Sequence, residues 1–331
     1  MSTTSLGLPF ADPELESRVR SRLLEVEKEL TQAVQSDDAL VQNAARHLLD
    51  AGGKRFRPLL VVLAAEFGDP FADGVVPAAQ VVELTHLATL YHDDVMDEAD
   101  LRRGAPSANA RWDNSVAILT GDYLFARASE IVADLGPEAV RLQARTFGRL
   151  VQGQIRETAG PAAGADPLAH YLSVVADKTG SLIATSARFG AWLSGADPEA
   201  VEVLTDFGEQ IGTLFQLSDD IIDVASDTDD LGKARGTDLR EGIPTLPTLM
   251  ALRSSDGDTG RLRELVAGPI SDDSRHAEAL RLLRESSAID EARAVVAARA
   301  REAEALLEGL PDVAAREALA ALCDVVITRT S

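Results

Sequence analysis

The chain is poor in the residues that would mark several protein classes. It has one cysteine, Cys323, in 331 residues. No intrachain disulfide and no cysteine-rich metal centre can be built from it, which points to a reducing compartment and a cytoplasmic location. Aromatic residues make up only 4%, few for a β-rich fold. Basic residues are scarce as well, 32 against 54 acidic ones, for a formal net charge of −22. Phosphate neutralisation by a nucleic-acid binder needs a basic surface, and so does an electrostatic hold on anionic lipid. Long apolar runs are absent; the strongest, such as 59–65, is far too short to span a bilayer. The segment 1–11 carries no signal-peptide pattern and reads as a flexible tail.

What remains is an ordinary globular composition, 45% hydrophobic and 26% charged, with the period of helices. Asp12-Pro13-Glu14 supplies a cap, a proline at the first helical position and an acid in the first turn. Leu15, Val19, Leu23, Val26 and Leu30 then recur at three- and four-residue steps. Further helix starts are signalled at Ser36-Asp37-Asp38, Pro58, Pro77, Pro137, Asp166-Pro167, Asp197-Pro198-Glu199 and Ser271-Asp272-Asp273. No sustained two-residue alternation and no Asn-Gly turn appears, so strands are not expected. No Ser/Gly linker divides the chain. The expectation is an all-α protein, one domain over 1–331, with about ten or more helices in a bundle.

Chemistry concentrates in two acidic clusters of one spelling. His92-Asp93-Asp94-Val95-Met96-Asp97 closes a predicted helix, and Asp219-Asp220-Ile221-Ile222-Asp223 lies on another. Asp93 and Asp97, like Asp219 and Asp223, stand at i and i+4 on one helix face. Asp94 and Asp220 lie about 100° further round. A solvated acidic face is the plain alternative. Against it, like charges at this spacing repel, and carboxylates at a helix C-terminus oppose its dipole. Bound cations would offset both costs. Mg²⁺ suits them, being held by one or two carboxylates with phosphate and water as the other ligands.

The few cations cluster near these acids. Gly52-Gly53-Lys54-Arg55-Phe56-Arg57-Pro58 is a glycine-led basic turn before a helix; Arg102-Arg103-Gly104 follows the first acidic cluster. Lys178-Thr179 lies between the clusters and Leu231-Gly232-Lys233 follows the second. Carboxylate-held metal on one side and Lys or Arg on the other is an arrangement for phosphate or diphosphate.

In order and spacing, these motifs, with Phe215-Gln216 leading into the second acidic cluster, resemble the trans-isoprenyl (polyprenyl) diphosphate synthases. The resemblance spans about residues 50–250 and implies the isoprenoid synthase fold, a helical bundle around a central cavity. It implies three Mg²⁺ ions, an allylic diphosphate, isopentenyl diphosphate and a homodimer. Asp93, Asp97 and Asp219 then match direct metal ligands, with Asp94, Asp220 and Asp223 completing the metal set. Arg102, Lys178 and Lys233 match contacts to the allylic diphosphate. Lys54, Arg57, Arg103 and His86, with Arg55 alongside, match the isopentenyl diphosphate site. Thr179 and Gln216 match polar groups at the reaction centre. The sequence departs from many members at Ile243, where a lysine often follows Gly242; Arg240 is a candidate replacement. Thr89 and Ala88, four and five residues before Asp93, are small where short-chain synthases carry aromatics. They resemble the long-chain type, with Phe147 a candidate floor further down the product tunnel and a quinone side chain as the implied end use. A short-chain synthase, a terpene cyclase, a non-catalytic synthase subunit and an acidic helical scaffold are the rival readings.

Overall fold

A computed structural model describes residues 8–225, 236–254 and 259–329. These are almost wholly helical, as the sequence predicts. The caps sit where the side chains place them. Asp12 Oδ1 accepts from the Glu14 amide at 2.8 Å and starts the helix Pro13–Ala33. Asp38 does the same for Ala39–Asp50 and Asp272 for Asp273–Glu285, each at 2.8 Å. Each bond satisfies an orphan N–H of a first turn, worth about 1 kcal/mol. Two starts fall two residues earlier than their prolines, at Phe56 and Val75. Pro58 and Pro77 still lie in the first turn, where no intrahelical N–H is needed.

The chain divides into two compact units. The first comprises Met1–Gly148, Leu182–Gly208 and Gly309–Ala321; the second comprises Arg149–Ser181, Glu209–Glu308 and Leu322–Ser331. The first is organised on the helix Val75–Met96, which is buried on nearly every side from Val75 to Tyr91. A helix apolar all round belongs at the centre of a core. It packs on the helices Asn114–Asp134, Phe56–Ala65 and Pro13–Ala33. The Tyr91 hydroxyl pins it to a fourth, donating to the Ala44 carbonyl at 2.5 Å and accepting from the Leu48 amide at 3.2 Å. In the second unit the helix Leu246–Arg253 packs on Ala288–Leu306 and Pro167–Val175.

Gly190, on the helix Ser181–Leu193, shows how tightly the first unit is packed. A Cβ there would fall on the Val61 carbonyl oxygen, backbone that cannot give way. Gly190→Ala should therefore lose about 1–3 kcal/mol by overpacking, more than the ~1 kcal/mol gained in helix propensity. Urea denaturation would show it as a lowered midpoint at unchanged slope.

Among the described residues one small sheet forms, against expectation. Leu101–Arg102 pairs antiparallel with Ala105–Pro106, joined by Arg103 (φ 54°) and Gly104 (φ 76°). Two positive φ values in a two-residue loop make the tight primed turn of a hairpin. An Arg-Gly pair is a weak spelling of that turn, and two-residue strands carry no alternation to read. Among the described residues no helix is long and apolar enough to cross a membrane.

Candidate active site

In the first unit the basic turn and the first acidic cluster are built separately. Gly52 and Gly53 take positive φ, and Arg55 follows in the left-handed region at φ 48°. That reversal turns the Arg55 guanidinium inward. It donates to Glu83 Oε1 at 3.0 Å, to the Leu49 carbonyl at 3.0 Å and to Glu27, and it is 5% exposed. Arg55, matched above to the substrate site, thus spends its donors on holding the turn. Arg103 reaches the same turn from the hairpin, donating to the Leu48 carbonyl at 2.8 Å and to the Gly52 carbonyl. Its guanidinium lies across Gly53, where a Cβ would stand 2.9 Å from Cζ and where φ 149° is a conformation that side chains rarely adopt.

Arg57 and His86 join this group. Arg57 is half-buried, its Nε buried without a hydrogen-bond partner. Burial pushes its pKa down to about 10; Glu83 opposes that and Arg103 adds to it. His86 falls well below the ordinary imidazole range, through burial first and then the fields of Arg57, Arg103, Arg55 and Arg102. A neutral imidazole among four arginines, beside an orphaned guanidinium N–H and with Glu83 bonded to Arg55, makes a pocket of positive sign suited to an anion. Lys54 is exposed on the same turn.

The first acidic cluster ends the helix Val75–Met96. Asp97 is its C-cap and exposed, Asp93 is half-buried one turn back, and Asp94 is fully buried. Asp94 Oδ1 accepts from Arg102 Nε at 2.6 Å, while Oδ2 is buried without a partner. Burial raises the Asp94 pKa against the pull of Arg102. Arg102, matched above to a substrate diphosphate, is thus paired with a member of the metal set. Thr89 and Ala88 lie further down the helix, 8% and 0% exposed. The ring of Phe147 packs on Phe125 at 4.3 Å, and Phe125 meets His92 at 5.8 Å. Gln143, one turn earlier, is the residue that reaches Thr85, at 3.3 Å. Gln143 is thus level with Thr85, while Phe147 connects through Phe125 to His92, nearer the acids.

In the second unit Lys178 and Thr179 sit on one π-helical turn, Ala176–Gly180, between the helices Pro167–Val175 and Ser181–Leu193. Such insertions often mark functional positions. Arg149 clamps this turn, reaching Asp177 Oδ1 at 2.9 Å and Glu209 Oε1 at 2.9 Å, and Arg156 also meets Asp177. Lys178 Nζ donates to Glu157 at 2.5 Å. Thr179 Oγ1 donates to Gln216 Oε1 at 3.4 Å, and Gln216 Nε2 donates to Asp220 Oδ1 at 3.0 Å. The other Asp220 oxygen accepts from the Tyr171 hydroxyl. Burial pushes Asp220 up to about 6, opposed by Tyr171 and Gln216. Asp219 is exposed and accepts from Arg329 Nη2 at 2.6 Å; that guanidinium also lies 5.5 Å above the Phe215 ring. Asp223 accepts from the amides of Thr237 and Asp238. Lys233 falls outside the described residues. Ile243 is 36% exposed, and Arg240 is committed to Asp273 at 2.7 Å.

Each acidic cluster by itself has the donor chemistry of a hard cation: oxygen ligands only, with an orphaned buried carboxylate oxygen on Asp94 in the first and a guanidinium already attracted to Asp219 in the second. Among the described residues no three acid, His or Cys side chains converge into a closed cage. Mg²⁺ is commonly held without one, through phosphate and water. Sequence reasoning missed Tyr171, Glu83, Glu157, Arg149 and Arg329, none of which stands inside a recognisable motif.

Comparison with known proteins gives one consistent result. A model of the polyprenyl synthetase family matches residues 38–283. The chain is 51% identical to a nonaprenyl diphosphate synthase of Mycobacterium tuberculosis, over 99% of this chain and 98% of the relative. It is 41% identical to heptaprenyl diphosphate synthase component 2 of Geobacillus stearothermophilus, over 87% and 90%. A crystal structure of geranylgeranyl pyrophosphate synthase from Corynebacterium glutamicum, complexed with calcium and isoprenyl diphosphate, superposes with a TM-score of 0.88. Its identity is 46%, covering 98% of this chain and 99% of that one.

Proposed function

Because this chain belongs to the polyprenyl synthetase family of prenyltransferases, we propose that it condenses isopentenyl diphosphate with an allylic diphosphate, head to tail, to a long all-trans product. The observation that carries the reading is the cationic pocket of the first unit. Arg57, Arg103 and neutral His86 gather there around a buried, unpartnered guanidinium N–H. Such an array is costly to bury unless an anion completes it. Isopentenyl diphosphate, with exposed Lys54 at the rim, is that anion.

The reaction breaks the allylic C1–O bond, and diphosphate departs. The isopentenyl double bond attacks the allylic cation, and a proton passes from the new cation to the departed diphosphate. Asp93, Asp97, Asp219 and Asp223 would hold Mg²⁺, which supplies neutralisation of the leaving diphosphate. Lys178, Arg102 and Lys233 bind that diphosphate from the protein side. Arg102 would then exchange or share Asp94, and Lys178 would leave Glu157. The oxygens of Thr179 and Gln216 face the developing cation, whose charge they stabilise as fixed dipoles. Asp94 and Asp220, both buried, serve this array by holding Arg102 and Gln216.

Named relatives include both long-chain and geranylgeranyl synthases. Small side chains at Ala88 and Thr89 favour the longer product, and a quinone side chain is its natural use. A homodimer in the cytoplasm completes the reading. The test is the purified chain with Mg²⁺, labelled isopentenyl diphosphate and a series of allylic primers. Long prenyl products are expected from this chain alone, and chelation should stop their formation. A product of twenty carbons or fewer would overturn the length, and no transfer without a second protein would overturn the self-sufficient enzyme.

A further inference from the structure

The orientation of one amide is decided by a pair of residues, Asp220 of the second acidic cluster and Tyr171, which stands in no motif. A glutamine side chain has an oxygen end that attracts a cation and a nitrogen end that repels it. The two ends have nearly the same shape, so packing alone selects neither. In this chain the selector is Asp220. A carboxylate accepts hydrogen bonds and donates none, so it takes the Gln216 Nε2 end, at 3.0 Å. Gln216 Oε1 is thereby turned to Thr179, whose hydroxyl donates to it at 3.4 Å. Asp220 is itself held from two further directions. The Tyr171 hydroxyl donates to Oδ2, and the Leu246 amide also donates to the carboxylate. The carboxylate is 3% exposed and makes no ion pair with a Lys or Arg among the described residues. Burying a charge on neutral donors alone is costly, so its value to the molecule lies elsewhere than in stability.

We propose that Tyr171 and Asp220 are positioning residues that lock the Gln216 amide with its oxygen toward Thr179 and the reacting allylic carbon. The inference rests on the prenyl-transfer reading for the location of that carbon. The chain of bonds runs Tyr171, Asp220, Gln216, Thr179, and removing its first member lets the last three relax. Tyr171→Phe deletes one hydroxyl and keeps the ring.

A double-mutant cycle with Gln216→Leu tests it. In the parent chain Tyr171→Phe should lower kcat about 10-fold, with the allylic KM within about twofold. In the Gln216→Leu background the same change should cost less than about twofold, because the amide it orients is gone. An equal loss in both backgrounds, or none in the parent, overturns the proposal. A binding arm covers loss of measurable turnover in Gln216→Leu. With Mg²⁺ present, Tyr171→Phe should weaken a bisphosphonate bearing an ammonium at the cation position about 10-fold. Its neutral carbon isostere should weaken less than about twofold; equal losses for the two, or none, overturn the proposal. Should Tyr171→Phe fail to fold by circular dichroism, Asp220→Asn is measured with the same two ligands. Asparagine accepts either end of the amide, so the same selective loss is expected, and a loss common to both ligands overturns the proposal. Absence of prenyl transfer by the parent chain defeats the underlying reading instead, whatever Tyr171→Phe does.

Discussion

Asp97→Ala is expected to abolish prenyl transfer and to raise the melting temperature. The two effects have one origin. Asp97 caps the C-terminus of the helix Val75–Met96 and is exposed. Its charge opposes the helix dipole, at a cost of about 0.3–1 kcal/mol. Asp93 one turn earlier adds like-charge repulsion of about 0.2–0.5 kcal/mol. Alanine removes both, which should raise the melting temperature by about 1–3 °C. The same carboxylate is proposed to bind the cation that neutralises the leaving diphosphate. Losing a preorganised charge contact of that kind costs about 10³-fold or more in kcat. A variant that only damaged the fold would lower activity and melting temperature together. Calorimetry beside the prenyl-transfer assay separates the cases. Turnover within tenfold of the parent would remove Asp97 from the metal set, and a fall in melting temperature would sink the charge argument. Asp93→Ala should show the same loss of turnover.

That opposition was legible in the sequence, because like charges at i and i+4 need only helical geometry to meet. Helix starts were legible for the same reason: Asp12, Asp38 and Asp272 bond amides two or three residues away. What was not legible depends on partners distant in sequence or on local backbone reversals. Arg55 and Arg57 stand two residues apart in one basic turn. A left-handed φ at Arg55 sends its guanidinium to Glu27 and Glu83, 28 residues away on either side, and leaves Arg57 beside His86 and Arg103. The π turn at Ala176–Gly180 inserts one residue into a helical register, too brief to change any apolar period. Tyr171 precedes Thr179 by two turns and that insertion, so its meeting with Asp220, 49 residues on, has no local sign. Phe147 is the candidate floor that the sequence offers deeper in the product tunnel. Its place beside Phe125 depends on a partner 22 residues away, which spacing does not reveal.

The net charge of −22 sits easily with an anionic substrate once the charges are located. Glu27 and Glu83 are consumed by Arg55, while Arg57, Arg103 and His86 share one pocket. The local sign there is opposite to the global one. Substrate capture should therefore weaken as salt screens that pocket, since exposed charges further than about 10 Å contribute little at 0.1 M.

Ala88→Phe is expected to convert a long-chain product into a short one. Ala88 and Thr89 lie just over one turn below Asp93, which is about 6–7.5 Å along the helix. If the growing chain passes that level, a phenyl ring there stops it within a few isoprene units of the primer. Labelled products sized by thin-layer chromatography would shift as a population, whereas a merely weakened enzyme would make the same lengths more slowly. The substitution has a structural cost that must be separated from the effect. Ala88 is fully buried, and a Cβ on Gly121 would stand 3.0 Å from the Ala88 carbonyl, so two helices already pass closely there. Overpacking should cost about 1–3 kcal/mol. Thr89→Phe is the companion variant, because the Thr89 hydroxyl bonds only the His86 carbonyl of its own helix, at 2.8 Å. The helix ladder does not depend on that bond. Both folded variants should shorten the product while leaving the first condensation intact, since Thr89 meets His86 at its main-chain carbonyl and not at its imidazole. Unchanged product length in both would mean that the chain does not run along this face of the helix.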